Sequence, residues 1–126
     1  MTSEADDAFA RQLQELRREY LADSSKRMAE LRELGARLAR GDSTALADCR
    51  QAFHRLAGSG GSYGFPHVSA RIREGEQLVQ RLASAGSGLK PDDISAINAC
   101  IAGVAGAFSQ AIEGFRATDG DRTADA

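Results

Sequence analysis

The 126-residue sequence lacks a strong excess of charge, a long apolar run and a set of cysteines. Its formal net charge is −2, so composition gives no reason to expect nucleic acid or an anionic membrane as a partner. No uninterrupted apolar run approaches the roughly 20 residues that a membrane span needs. The first ten residues, MTSEADDAFA, are acidic and unlike a secretory signal. These absences predict a cytoplasmic protein.

The two cysteines, Cys49 and Cys100, are too few for a disulfide-stabilised scaffold. Both fall on apolar helical stripes, so we expect buried free thiols in a reducing compartment. A disulfide between them is the less favoured alternative, because the chain shows no secretory signal.

Hydrophobic residues recur with helical spacing along nearly the whole sequence, and no segment has a convincing strand pattern. Four amphipathic helices with short connections bury their apolar stripes best as an antiparallel bundle, so the sequence predicts an all-α, four-helix fold. The stripes are Phe9, Leu13, Leu16, Tyr20, Met28, Leu31, Gly35, Leu38; Leu46, Cys49, Phe53, Leu56, Gly60; Phe65, Val68, Ile72, Gly75, Val79, Leu82; and Ile94, Ile97, Ile101, Val104, Phe108, Ile112, Phe115.

The predicted bundle occupies residues 1–118 as a single domain. Asp23 and Ser24 interrupt the first stripe, so residues 6–40 form either one long helix or two helices joined near Asp23. Residues 119–126, DGDRTADA, have nothing to bury and are predicted to form a disordered tail.

One histidine stands out because small residues follow it: residues 53–65 read FHRLAGSGGSYGF. His54 follows a core position by one residue, so it lies at the edge of its stripe and should be partly exposed. On its own helix face, Arg50 lies one turn before it, and Gly58 and Gly61 lie after it. The glycines leave no side chains beside the imidazole, so a second protein could approach it.

Glu76 stands in the same relation to its own stripe, because it follows the core position Gly75. If the two helices pack side by side, Glu76 faces His54. A carboxylate that accepts from one ring nitrogen fixes the tautomer and leaves the other nitrogen nucleophilic. On periodicity alone, however, an edge histidine is more often a surface residue without chemistry, with Gly75 allowing close packing and Glu76 a solvated charge.

The string AFHRLAGSGGSYGF resembles the signature of histidine-containing phosphotransfer (HPt) domains, the intermediates of multistep two-component phosphorelays. The layout of helices is similar from about residue 6 to residue 115. The matching positions are His54, Leu56, Gly58, the small residues Ser59 to Ser62, Gly64, and Glu76, which lies where the family has Glu or Gln.

The resemblance implies that His54 reversibly accepts a phosphoryl group from a receiver-domain aspartate and passes it to another receiver. Glu76 would orient His54, while Gly58, Gly61 and Gly64 would keep the docking surface open. The protein would be a phosphoryl carrier without autokinase activity and without a cofactor, and Mg²⁺ would be bound only by the partner receiver. Its partners would be receiver domains of response regulators or hybrid histidine kinases.

One position departs from the family pattern. The lysine usual three residues after the histidine is Ala57 here. Arg50 and Arg55 are candidate replacements for its charge, and both could equally be solvated surface residues. The missing lysine keeps an alternative open, in which the protein is a helical docking module that binds a receiver or histidine kinase without carrying phosphate.

A metal site built from Cys49, His54, His67 and Cys100 is disfavoured, because Cys49 and His54 lie on different faces of one helix and no pair has close ligand spacing. We therefore expect no metal.

We expect a monomer. An exposed stripe of Phe9, Leu13 and Leu16 would nevertheless invite self-association or a partner.

Overall fold

The computed structural model describes residues 3–60 and 64–124. These ranges form four helices: α1 Glu4–Ala39, α2 Ala45–Gly60, α3 Pro66–Ala85 and α4 Pro91–Ala124. No strand is present in the described ranges, and the predicted all-α four-helix bundle is confirmed. Each helix packs against the next in sequence, and α4 closes the bundle against α1.

The first segment is one helix across the interruption at Asp23 and Ser24. Ser24 is buried, and its hydroxyl donates a hydrogen bond to the carbonyl of Leu21 at 2.6 Å. Because this hydroxyl bonds back into the preceding turn, it does not cap a new helix. Of the two alternatives left by the sequence, the structure has the single long helix.

The last helix is longer than the sequence predicted. Its backbone continues to Ala124, so residues 119–124 are helical here, where the sequence predicted a tail. Residues 125 and 126 lie outside the described ranges. Extending an existing helix costs far less than starting one, which is why a polar segment can continue α4.

A single hydrophobic core runs between the four helices. The largest side chains that are completely or almost completely buried are Phe53, Phe108, Leu31, Ile72, Ile97, Val68, Val79 and Val104. Cys49 is also buried, and burial raises the pKa of its thiol to about 11, so the thiol stays protonated near neutral pH. Cys100 is only half-buried, contrary to expectation, and both cysteines are free.

The segment Pro91–Thr118 of α4 is long and apolar enough to cross a membrane by length and composition alone. Polar residues interrupt this segment, so the absence of an uninterrupted apolar run in the sequence does not exclude it. Ile97, Val104 and Phe108 of this segment are buried within the bundle. A core helix of a soluble protein has the same composition, so the segment is weak evidence for a membrane.

The turn between α1 and α2 is held by one guanidinium group. Arg37 donates hydrogen bonds to Asp42 Oδ2 at 2.8 Å, Thr44 Oγ1 at 2.8 Å and Asp48 Oδ2 at 2.9 Å. The Arg37 contact, together with the Thr44 amide, holds the pKa of the Asp42 carboxyl well below its usual range. Gly41 supplies the positive φ, 81°, that the turn requires. This arrangement fixes the start of α2, the helix that carries His54.

Candidate functional site

Phe53 of α2 packs directly against Gly75 of α3. Phe53 is completely buried, and a Cβ atom on Gly75 would overlap its ring. Any side chain at position 75 would therefore have to push the phenyl ring or the two helices apart. The pair sets the separation and the register of α2 and α3.

That register brings together the residues that follow each member of the pair. His54 Nδ1 lies 3.6 Å from Glu76 Oε1. The imidazole is 76% exposed, whereas the Glu76 side chain is only 19% exposed. Nδ1 therefore faces a carboxylate held at the helix interface, and most of the ring stands in solvent. The distance slightly exceeds a hydrogen bond, so a small ring movement would complete one.

In the described part of the chain, one of the two Glu76 carboxylate oxygens has a hydrogen-bond partner. Its Oε1 accepts a hydrogen bond from Gln80 Nε2 at 3.5 Å, at the long end of the range for such bonds. Its Oε2 is buried and has no hydrogen-bond partner among the described residues. The carboxylate thus has spare acceptor capacity beside the ring. Sequence reasoning missed Gln80, although its position one turn after Glu76 was a usable signal.

His54 opens onto a surface groove between α2 and α3 with a volume of about 580 Å³. Arg50 lies on the same groove and Gln80 forms part of its opposite wall, so the cation and the imidazole face one common space. The groove is lined by Ser43, Leu46, Ala47, Arg50, Gln51, His54, Gln80 and Ala83.

The second candidate cation, Arg55, lies elsewhere. It lines a different groove, of about 600 Å³ between α1 and α2, together with Lys26, Glu30 and Glu33. Position 55 is about 100° around the helix from position 54, which turns it towards α1. The structure therefore groups Arg50, and not Arg55, with His54.

The three predicted docking glycines have different surroundings. Among the described residues, a Cβ atom on Gly58 would meet nothing within 4 Å, so the space beside it is open on the side of those residues. Gly64 has a φ of 80°, and a Cβ atom there would lie 2.7 Å from the guanidinium of Arg17. Gly64 is therefore needed for the shape of the chain before α3. Gly61 lies outside the described residues.

The remaining histidine, His67, lies exposed in the first turn of α3. In the part of the chain that the structure describes, no group of three or more His, Cys, Asp or Glu side chains is placed to hold a metal ion.

Comparison with known families shows which family the chain resembles. The model of a family described as "Hpt domain" matches residues 15–114, about four-fifths of the chain and parts of all four helices. Searches of curated proteins and of solved structures returned no significant match.

Proposed function

The chain belongs to the Hpt domain family, and on that premise we propose that His54 is the residue that carries the phosphoryl group. The family takes part in histidine phosphotransfer in two-component phosphorelays, and its members are phosphoryl carriers that interact with receiver or kinase domains. The observation that supports His54 is its contact with Glu76: an exposed imidazole has one nitrogen facing a largely buried carboxylate.

The proposed reaction uses the neutral imidazole. With the proton on Nδ1 facing Glu76, the lone pair on Nε2 attacks the phosphorus of an aspartyl phosphate. The bond from phosphorus to the aspartate oxygen breaks, and the aspartate leaves as a carboxylate. The ring, now bonded to phosphorus and still protonated on Nδ1, gains positive charge that Glu76 stabilises. The same steps in reverse pass the group to a second receiver.

In this mechanism the main task of the chain is to position the imidazole of His54. Mg²⁺ and most of the charge stabilisation for phosphoryl transfer would come from the receiver domain. A protein acting in this way needs no autokinase activity and no cofactor of its own. A cytoplasmic location, where receiver domains would be available, is part of the same proposal.

The direct test mixes the protein with phosphorylated receiver domains of its source organism. We expect a label that is acid-labile, stable in base and located on His54 by peptide mapping, and we expect it to return to a receiver on further incubation. Stable binding of a receiver with no label on the protein would contradict carriage by His54 and favour the docking module.

Glu76 is expected to control the rate at which His54 accepts the phosphoryl group. Glu76→Ala should slow phosphoryl transfer to His54 by roughly tenfold, as expected when a residue that orients a reactive group is removed. The proportion of the Nδ1–H tautomer should fall in the same variant, which ¹⁵N NMR of the imidazole measures.

Glu74→Ala is the matched control for Glu76→Ala. Glu74 is an exposed carboxylate on α3 that pairs with Arg71 at 3.2 Å. This control should leave the rate and the tautomer unchanged. Equal slowing in both variants would mean that net charge, and not orientation by Glu76, governs the step.

Arg50 is proposed to hold the phosphoryl group after transfer. The group adds roughly two negative charges beside Arg50, so Arg50→Ala should shorten the lifetime of phospho-His54. We expect about a two- to fivefold effect, the range for an exposed charge pair. Arg55→Ala removes the same charge from the other groove and should have no effect. The decay of labelled phospho-His54 is measured in both variants and in the wild type. Decay at the wild-type rate in both variants would mean that neither arginine replaces the missing lysine.

Gly58 is proposed to leave room for the receiver. Gly58→Gln places a side chain one turn after His54, where a Cβ atom would meet no atom of the described residues within 4 Å. A steric cost of about 1 kcal/mol in the complex corresponds to roughly fivefold weaker receiver binding. Titration of a receiver against the variant measures this, with Gly58→Ala as the smaller control. Unchanged binding by Gly58→Gln would show that the receiver approaches from another side.

A further inference from the structure

Gln80 borders both the carboxylate that faces His54 and the groove onto which His54 opens. It lies on α3 one turn after Glu76, and its amide nitrogen Nε2 lies 3.5 Å from Glu76 Oε1. The half-buried side chain of Gln80 also lines the groove. Gln80 is therefore placed to act on the carboxylate from beside the space that a phosphoryl group would enter.

The oxygen that accepts the hydrogen bond from Gln80 is the same oxygen that faces the imidazole. Glu76 Oε1 lies 3.6 Å from His54 Nδ1. The other oxygen, Oε2, is buried without a hydrogen-bond partner among the described residues. Since the Glu76 side chain is only 19% exposed, water can compensate little for a lost hydrogen bond. The bond from Gln80 is thus the contact that can keep the carboxylate beside the ring.

The chemistry of an amide suits this task. The amide of Gln80 donates a hydrogen bond but carries no charge. It can therefore fix the position of the carboxylate without cancelling the negative charge of Glu76. In the proposed reaction that charge is needed when the ring of His54 becomes positive.

We propose that Gln80 is a positioning residue for phosphoryl transfer: its amide holds the Glu76 carboxylate against Nδ1 of His54, and Glu76 in turn orients the ring. This inference rests on the proposed function, in which Nδ1 keeps its proton while Nε2 attacks phosphorus. Gln80 acts through Glu76 and does not touch the phosphoryl group. A direct hydrogen bond from Gln80 to a phosphoryl oxygen is the competing role, because the side chain also lines the groove.

The first test measures the tautomers of His54 in the isolated protein by ¹⁵N NMR. Gln80→Met removes the amide donor, while methionine keeps a similar side-chain length and a similar helix propensity. The ratio of the Nδ1–H to the Nε2–H tautomer should fall about threefold, the size expected when one neutral hydrogen bond is lost. An unchanged or higher ratio would overturn the proposal.

Gln77→Met is the matched control for Gln80→Met. Gln77 is an exposed glutamine of α3, three residues before Gln80 and outside the groove. The control should keep the wild-type tautomer ratio, and circular dichroism should show equal helix content in both variants. An equal fall in the two variants would overturn the assignment of the effect to Gln80.

A double-mutant cycle separates action through Glu76 from contact with the phosphoryl group. Gln80→Met should slow label transfer from a phosphorylated receiver about threefold, but it should cause no further slowing in the Glu76→Ala variant. Slowing that persists without Glu76 would mean direct contact with the phosphoryl group and would overturn the proposal. The NMR measurement needs no receiver, so the two proposals fail separately. Absence of label from the wild type counts against phosphoryl carriage by His54, whereas an unchanged tautomer ratio counts against Gln80 alone.

Discussion

Replacement of His54 with glutamine is expected to abolish phosphoryl acceptance while leaving the fold intact. Glutamine has no nitrogen lone pair able to attack phosphorus, so the loss should be complete. The imidazole is 76% exposed, and exposed substitutions usually change stability by less than about 0.5 kcal/mol. The measurements are label transferred from a phosphorylated receiver, together with helix content and melting temperature by circular dichroism.

His67→Gln is the matched control for this variant. His67 is the other histidine of the chain, also exposed on a helix. His67→Gln should accept label at the wild-type rate. Label retained by His54→Gln and lost from His67→Gln would move the acceptor to α3 and contradict the proposed role of the His54–Glu76 contact.

Gly75→Ala is expected to destabilise the protein by about 1–3 kcal/mol, the usual cost of overfilling a packed core. A loss of stability would be informative, because helix propensity alone predicts a gain: alanine is favoured over glycine inside a helix by roughly 1 kcal/mol. The new methyl group would overlap the ring of Phe53, which is completely buried. If α2 and α3 separate to relieve the overlap, His54 also moves away from Glu76, and phosphoryl acceptance should slow.

The same substitution at Gly58 separates packing from helix propensity. Position 58 is also helical, but a Cβ atom there meets no atom within 4 Å in the part of the chain that the structure describes. Gly58→Ala should therefore be neutral or stabilising by up to about 1 kcal/mol. Urea unfolding measures both variants. Addition of Phe53→Leu to Gly75→Ala should recover part of the lost free energy if the overlap is the cause. A Gly75→Ala protein as stable as Gly58→Ala would show that Phe53 and Gly75 do not set the helix separation.

The meeting of His54 with Glu76 could be predicted from the sequence because it follows from two local facts. Phe53 and Gly75 lie on apolar stripes of consecutive helices, and each is followed by a polar residue at the edge of its stripe. Consecutive helices joined by a short connection pack as antiparallel neighbours, so these two edges face each other. Helical periodicity is therefore enough to predict the contact between His54 and Glu76 without knowledge of the rest of the fold.

Other features depend on neighbours that periodicity does not identify. Arg50 and Arg55 looked equivalent as cations near His54, and they separate only because α1 packs along the side of α2 that carries Arg55. Ser24 looked like a helix cap, but burial turns its hydroxyl onto the Leu21 carbonyl. Phe9 lies on the apolar stripe of α1 but is exposed. In each case the surroundings of the residue depend on a neighbouring helix, and not on the segment that contains the residue.

The exposure of His54 also limits how long the proposed carrier can keep its phosphoryl group. A phosphoryl group on an imidazole that is 76% exposed would be accessible to water as well as to a receiver domain. Encounter with a receiver and spontaneous hydrolysis would then compete for the same bond, and the abundance of receivers would decide the outcome. A carrier with this geometry would pass a signal on promptly but would store it poorly. When receivers are scarce, the signal would be lost by hydrolysis and would not accumulate.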